Sequence, residues 1–157
     1  TPRIELMQNG TVYSNLDDLN TDVICDTEKD GYRFTVNTHL VDINQKTPSQ
    51  GEIPITVDYT YTQQGIEINV ENCHDAAYLM LPVISSPTEE VKVTPQEASI
   101  NKSGGTLSII CTAGHIEVAP TDKDRRIFNP VPGFSFVPLR IIPNNPKKKI
   151  HLKILFR

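Results

Sequence analysis

The chain has 157 residues, of which 38% are apolar and 22% charged, and these values are typical of one globular domain with a substantial core. The sequence contains no run of about eighteen apolar residues, which excludes a membrane-spanning helix. The first residue is Thr, and the first residues do not form the basic-then-apolar pattern of a signal segment. We therefore expect residues 1–157 to form a single domain that is part of a longer or processed chain.

The formal net charge of −4 hides an asymmetry along the chain. Residues 1–120 carry 6 Lys or Arg and 17 Asp or Glu, whereas residues 121–157 carry 9 Lys or Arg and 2 Asp or Glu. A basic segment on an acidic body is able to contact a polyanion. The competing interpretation is that these charges are simply solvated or protect an exposed strand edge.

The N-terminal part alternates short apolar runs with turn signals, which is typical of strands. Asn9-Gly10 is a strong hairpin signal. Residues 15–20 are too short and too poorly periodic to form more than one turn of helix, and residues 46–51 are a polar loop. The predicted strands are Pro2–Met7, Thr11–Ser14, Thr21–Asp26 and Tyr32–Asp42.

The clearest alternation in the chain spans Ile53–Cys73. Apolar side chains recur at every second position on both sides of Gln63-Gln64-Gly65, which predicts a hairpin with one apolar face. Gly65 is expected to supply the positive φ that the turn needs. Because a two-stranded ribbon alone is at best marginally stable, other strands must cover this face. The most buried side chains are expected to be Ile55, Val57, Ile68 and Val70.

The C-terminal half continues in the same manner, with turns at residues 102–105 and 143–146. The stretch Pro120–Gly133 is rich in Pro and charge, which predicts an ordered loop that crosses an end of the sheets. About a dozen short strands without an amphipathic helix predict an all-β fold, an antiparallel β-sandwich of the supersandwich kind with negligible helix. The strands predicted here are Ala76–Ser85, Val91–Thr94, Ala98–Asn101, Thr106–Thr112, His115–Ala119, Phe134–Ile142 and Lys149–Arg157.

The residues that could carry chemistry are scattered. Each of the three cysteines, Cys25, Cys73 and Cys111, lies in or beside a predicted strand, which favours buried, unpaired thiols over one disulfide with a spare thiol. The four histidines lie far apart and form no metal-binding motif, so neither a metal nor a cofactor is expected. Cys73-His74-Asp75 remains a weaker candidate for a metal site or for a Cys–His nucleophile.

Acidic and aromatic side chains give no complete active site either. Outward positions on strands favour a solvated face for the carboxylates, and the core pattern favours packing for three tyrosines. Three other aromatic residues are less constrained, and the absence of Trp weakens an autonomous carbohydrate-binding module. The carboxylates are Asp58, Glu67, Glu71 and Glu117, the packed tyrosines are Tyr59, Tyr61 and Tyr78, and the less constrained residues are Tyr13, Tyr32 and Phe128.

Three segments carry a resemblance to a known family: VDYTYTQQGIEINVENCHDAAYLMLPVISSPTE, KSGGTLSII and DRRIFNPVPGFSFVPLRI. Together, within residues 50–157, they resemble the C-terminal β-sandwich part of heparinase II/III-like polysaccharide lyases from Bacteroidetes. The catalytic His and Tyr of that family belong to an α-helical toroid and its junction with the first β-domain, and no motif in this chain matches them. The resemblance implies a non-catalytic module of a secreted or periplasmic, glycosaminoglycan-type lyase. Its implied partners are a polysaccharide that could be sulphated and the catalytic domain of the parent chain.

The C-terminal third is predicted to offer a weak surface for such a polyanion, with no nucleic acid as partner. The main alternative is a stand-alone glycan-binding or adhesion β-sandwich, and a weaker one is an enzyme that depends on Cys73 and His74. The upstream reading frame discriminates among them. The candidate binding residues are Arg125, Arg126, Lys147, Lys148, Lys149 and Lys153, without a catalytic residue among them.

Overall fold

The computed structural model describes residues 2–86, 88–119, 135–144 and 149–157, and the regular structure within these ranges consists of β-strands without a helix. The all-β prediction is therefore confirmed. The predicted loop Pro120–Gly133 lies outside the described residues. The strands, in chain order, are β1 (Arg3–Gln8), β2 (Thr11–Ser14), β3 (Asp22–Glu28), β4 (Gly31–His39), β5 (Pro54–Thr62), β6 (Gly65–Glu71), β7 (Ala77–Ser85), β8 (Val91–Val93), β9 (Glu97–Lys102), β10 (Gly105–Ala113), β11 (His115–Val118), β12 (Ser135–Ile142) and β13 (Ile150–Phe156).

These strands form two sheets, and neighbouring strands in each sheet are antiparallel. The smaller sheet has five strands in the order β11-β12-β7-β1-β2, and the larger has eight in the order β3-β4-β5-β6-β13-β10-β9-β8. The sheets pack face to face as a β-sandwich around one main core, to which Ile4, Leu79 and Leu139 contribute from the smaller sheet. Within the described ranges, none of the secondary structure is a helix that could cross a membrane.

The hairpin formed by β5 and β6 lies in the middle of the larger sheet, as its alternation predicts. Ile55, Val57, Ile68 and Val70 are each exposed by 2% or less. At the turn, Gly65 has φ +148°, and a Cβ there would lie 2.1 Å from the carbonyl oxygen of Ile154. Glycine is therefore required both by the backbone conformation and by the close approach of β13.

The larger sheet extends beyond the smaller one, because eight strands face only five. On its core-facing side, a row of cross-strand partners passes from Ile66 through Tyr61 and Tyr32 to Thr27. Exposure rises along this row to 40% at Tyr61 and 55% at Tyr32. Every residue of the edge strand β3 is exposed. We call this uncovered part of the sheet the open end.

The exposure of β3 also corrects one prediction about the thiols. All three cysteines are free, and Cys73 and Cys111 are buried as expected, but Cys25 is exposed. Its side chain lies on the core-facing side of the larger sheet, opposite Phe34. This position is not covered, so the expectation of burial is wrong.

Candidate functional site

The structure describes only part of the predicted basic surface. Lys149 and Lys153 lie on the outer face of the larger sheet, whereas Arg125, Arg126, Lys147 and Lys148 lie outside the described residues. His151 lies between the two described lysines on the same face, since alternate residues of a strand point to the same side. We call Lys149, His151 and Lys153 the basic stripe.

Each lysine of the basic stripe is paired with a glutamate of β6. The Nζ of Lys149 lies 2.6 Å from Oε1 of Glu71, and the Nζ of Lys153 lies 2.8 Å from Oε1 of Glu67. The hydrogen bonds donated by Lys153 and Lys149 hold the pKa values of Glu67 and Glu71, respectively, below the ordinary range. Both carboxylates are therefore ionised at neutral pH and offset the charge of the lysines.

His151 bridges the stripe to β10. Its Nε2 lies 3.4 Å from Oε2 of Glu67, and its Nδ1 lies 2.5 Å from the hydroxyl oxygen of Thr112. Glu67 thus contacts two members of the basic stripe, one through each carboxylate oxygen. An anionic ligand on this face would have to compete with that carboxylate, which lowers its affinity.

The outer face continues over β4 and β5 with a second charged group. Asp58 Oδ1 accepts a hydrogen bond from the hydroxyl of Thr35 at 2.6 Å and lies 3.0 Å from NH2 of Arg33. Asp58 is only 9% exposed, so the expectation that it lies on a solvated face is wrong. Arg33 and Thr35 on the adjacent strand β4 enclose it, and the alternation within β5 does not identify these neighbours.

Aromatic side chains gather at the open end. Tyr32 and Tyr61 are direct cross-strand partners, and Phe34 contacts Tyr61 edge-to-face with ring centroids 5.7 Å apart. Tyr59 lies two residues before Tyr61 in β5 and therefore on the same face. Burial, and then the neighbouring Tyr61, raise the pKa of Tyr59. We call Tyr32, Phe34, Tyr59 and Tyr61 the aromatic surface. Tyr61 is 40% exposed, so the prediction that it packs in the core is wrong.

Tyr78 lies outside the main core. It lies on the outer face of the smaller sheet, yet it is only 6% exposed and packs in a separate cluster with Met80 and Ala119. Its hydroxyl donates a hydrogen bond to Oε2 of Glu5 at 2.9 Å, and the guanidinium of Arg140 lies 5.1 Å from its ring centroid. The expected packing role of Tyr78 is confirmed, although on the other face of the sheet.

The Cys73–His74 alternative does not form a nucleophilic pair. Cys73 is fully buried in the main core, and burial, followed by the charge of Asp75, raises the pKa of its thiol to about 12. The Nδ1 of His74 accepts a hydrogen bond from the backbone N–H of Ala76, and its Nε2 lies 3.5 Å from Nε2 of Gln50. Burial also raises the pKa of Cys111 to about 11. Protonated thiols in an apolar core are poor nucleophiles and poor metal ligands.

The described residues contain no group of three or more His, Cys, Asp or Glu that could hold a metal ion. Burial acts to raise the pKa of Asp18, but its hydrogen bonds hold it below the ordinary range, and the hydrogen bond donated by Lys102 lowers the pKa of Glu89. A general acid that works near neutral pH needs the opposite shift. Asp18, Glu67, Glu71 and Glu89 are therefore poorly suited to act as general acids near neutral pH.

The described strands thus form an antiparallel β-sandwich with a charged outer face on its larger sheet and exposed aromatic side chains at the open end. The chain belongs to the family described as the ulvan lyase C-terminal domain, whose model matches residues 1–157. It is thus related over its whole length to C-terminal modules of polysaccharide lyases. A search of curated proteins found no match.

Proposed function

We propose that this chain is the non-catalytic C-terminal module of a secreted or periplasmic polysaccharide lyase, and that it supports the catalytic domain and contacts the polysaccharide weakly. The observation that carries this proposal is the family match over residues 1–157. The resemblance of residues 50–157 to heparinase II/III-like lyases supports the further proposal that the parent enzyme has the domain architecture of those lyases. An upstream reading frame of several hundred helical residues would agree with it, whereas a bare signal peptide would favour a stand-alone glycan-binding module.

The non-catalytic part of the proposal rests on the protonation states of the described groups. A lyase must abstract a proton next to the uronate carboxylate and assist the departure of the leaving oxygen. The carboxylates of Glu67 and Glu71 are held ionised by lysines, and the thiols of Cys73 and Cys111 are held protonated by burial. The two ionised carboxylates are engaged in ion pairs with lysines and the two protonated thiols are buried, so none of these four groups is free to act as the base or as the acid.

The polysaccharide contact is assigned to the basic segment, with ulvan as the substrate suggested by the family name. Lys149 and Lys153 support this assignment because both lie on the outer face of the larger sheet, Lys153 in the central strand β13 and Lys149 just before it. Their pairing with Glu71 and Glu67 argues for weak binding. We include Arg125, Arg126, Lys147 and Lys148 because the sequence places them in the same basic segment.

Chromatography on immobilised ulvan and heparin tests this contact. The Lys149→Ser/Lys153→Ser variant should elute at lower salt than wild type, because fewer cations are available to replace counterions. The Glu67→Gln/Glu71→Gln variant should elute at higher salt, because it frees both lysines. Elution of the lysine variant together with wild type at every salt concentration would refute the assignment.

Charge-matched controls separate the site from net charge. Lys46→Ser/Lys92→Ser removes two exposed lysines elsewhere, and Glu28→Gln/Glu52→Gln removes two exposed carboxylates. Each control should shift elution by less than the corresponding site variant. Equal shifts in site and control variants would mean that retention follows net charge and that the basic stripe is not a binding site.

A further inference from the structure

Among the four strands at the edges of the two sheets, β3 is the longest and the most exposed. It has seven residues, whereas β2 and β11 have four each and β8 has three. All seven residues are exposed, and Asp22 to Glu28 pair with β4 in one register without a bulge. Folded proteins usually protect a sheet edge with short strands, bulges, proline or lysine, and β3 has none of these features.

Alternate residues of β3 direct their backbone N–H and C=O groups away from the sheet. The direction follows from the end of β4, where the N–H of Leu40 donates a hydrogen bond to the carbonyl oxygen of Ile53, just before β5. Because the direction alternates along a strand, the even-numbered residues of β4 bond to β5 and the odd-numbered ones bond to even-numbered partners in β3. The backbone groups of Val23, Cys25 and Thr27 therefore point outward, and the described part of the chain offers them no hydrogen-bond partner.

The side chains of β3 give this edge one acidic and one apolar side. Its residues on the outer face of the larger sheet are Asp22, Ile24, Asp26 and Glu28. Within the described ranges, none of these three carboxylates forms an ion pair, and Arg33, the cross-strand partner of Asp26, is bound to Asp58 instead. On the core-facing side, Val23 is 56% exposed at the open end. A strand added beside β3 would therefore meet uncompensated negative charge on one face and uncovered apolar surface on the other.

We propose that the edge of β3 binds an extended segment of a partner protein as an added strand of the larger sheet, and that this segment alternates basic with apolar residues. The outward backbone groups of β3 supply the hydrogen bonds of the new ladder, and the alternate side chains supply the specificity. Basic side chains lie opposite Asp22, Asp26 and Glu28, because opposite charges that face each other across strands stabilise a sheet. Apolar side chains cover the core-facing side. This interaction uses no residue of the basic stripe and does not depend on the proposed polysaccharide contact.

A second copy of this chain is a poor occupant of the same edge. In the antiparallel register that pairs all of β3 with itself, Cys25 faces Cys25 and Asp22 of one copy faces Glu28 of the other. Like charges directly opposite each other across strands are destabilising, so the acids act against self-association and in favour of a basic segment. The competing interpretation is that the acids protect the edge from every kind of pairing, in which case no added strand binds.

Amide hydrogen exchange, measured by NMR with and without a short synthetic peptide that alternates lysine with valine, tests the proposal residue by residue. The amides of Val23, Cys25 and Thr27 should exchange rapidly in the free protein and at least about tenfold more slowly with saturating peptide, because the added strand accepts their hydrogen bonds. The amides of Ile24 and Asp26, which already face β4, should change less. A peptide with glutamate in place of lysine should bind more weakly, and the lysine peptide with an N-methylated backbone should not bind.

Two charge variants separate the β3 acids from net charge. Asp22→Asn/Asp26→Asn should weaken binding of the lysine peptide about two- to thirtyfold, which is the range expected for the loss of two cross-strand charge pairs. Glu52→Gln/Glu97→Gln removes two exposed carboxylates elsewhere and should weaken binding less. Equal weakening in both variants would show that the peptide follows net charge and would overturn the proposal.

A backbone variant tests the pairing itself. Cys25→Pro removes one outward N–H at a position where an edge strand tolerates proline, and it should abolish the protection of the β3 amides. Cys25→Ser keeps the N–H and should bind the peptide as the wild type does. The N-methylated peptide makes the same test on the unaltered protein, so a folding defect in the proline variant leaves the result clear. No binding of the lysine peptide to wild type, equal binding of the N-methylated peptide, or protection that appears away from β3 would overturn the proposal and leave the polysaccharide contact untouched.

Discussion

The carboxylate of Asp18 accepts a hydrogen bond from the backbone N–H of His39, with Oδ2 and N 2.7 Å apart. The same carboxylate accepts bonds from the hydroxyl of Thr38 and the backbone N–H of Asn20. Its side chain is only 2% exposed, so the loop that follows β2 is tied to the end of β4 through one buried charge.

Replacing this carboxylate should destabilise the fold in a pH-dependent way. Burial acts to raise the pKa of Asp18, but the hydrogen bonds together outweigh it and the pKa lies below the ordinary value. At neutral pH, Asp18→Ala should cost about 1–3 kcal/mol, because it leaves buried donors without an acceptor. The measurement is denaturant unfolding of both proteins across a range of pH.

The sign of the pH effect follows from the lowered pKa. The stabilisation by Asp18 is fully present above the pKa of an unfolded Asp and is lost as the pH falls through the lower folded value. The difference between wild type and Asp18→Ala should therefore shrink on acidification. Asp26→Ala, which removes an exposed carboxylate, is the control. A difference that grows as the pH falls would contradict the assignment.

Core truncations should separate the covered and uncovered parts of the larger sheet. Ile68→Ala removes a side chain that is 1% exposed and should cost about 2–4 kcal/mol, because a cavity adds to the lost burial. Val23→Ala changes a residue on the same side of the sheet that is 56% exposed, and it should cost less than about 0.5 kcal/mol. Equal losses of unfolding free energy would show that the open end is covered.

Local alternation was sufficient to predict most of the fold. The hairpin around Gly65 is predictable because each of its strands has a covered face. The turn at Asn9-Gly10 is predictable because it needs positive φ, and Asn9 adopts 51° and Gly10 78°. The extent of the second sheet was not predictable in this way. Whether Tyr61 and Cys25 are covered depends on strands that are distant in sequence.

In the candidate site, too, the sequence predicts the face of a side chain but not its partner on the next strand. Alternation placed Lys153 and Glu67 on outward positions, but their ion pair depends on the register between β13 and β6, which makes them direct partners. The burial of Asp58 likewise depends on Arg33 and Thr35 of β4. Single-strand patterns give the face of a side chain and not its neighbour across the sheet, so charge compensation was missed.

The thiols should differ sharply in reactivity. Cys25 is exposed, whereas Cys73 and Cys111 are buried and their pKa values are raised to about 12 and about 11. A thiol reagent at mildly alkaline pH should therefore modify one cysteine rapidly in the native protein and all 3 after unfolding. Peptide mass mapping identifies the modified site, and Cys25→Ser should remove the rapid phase. Rapid native labelling of Cys73 would contradict its burial.

The central claim is that this module contacts polysaccharide without cleaving it, and one measurement tests both parts. The purified chain is incubated with ulvan, heparin, heparan sulphate and chondroitin, while binding is followed by affinity electrophoresis and cleavage by the ultraviolet absorbance of unsaturated uronate products. We expect salt-sensitive retardation on at least one anionic polysaccharide and no rise in absorbance. Absorbance that rises in the purified chain and disappears in His74→Ala would contradict it.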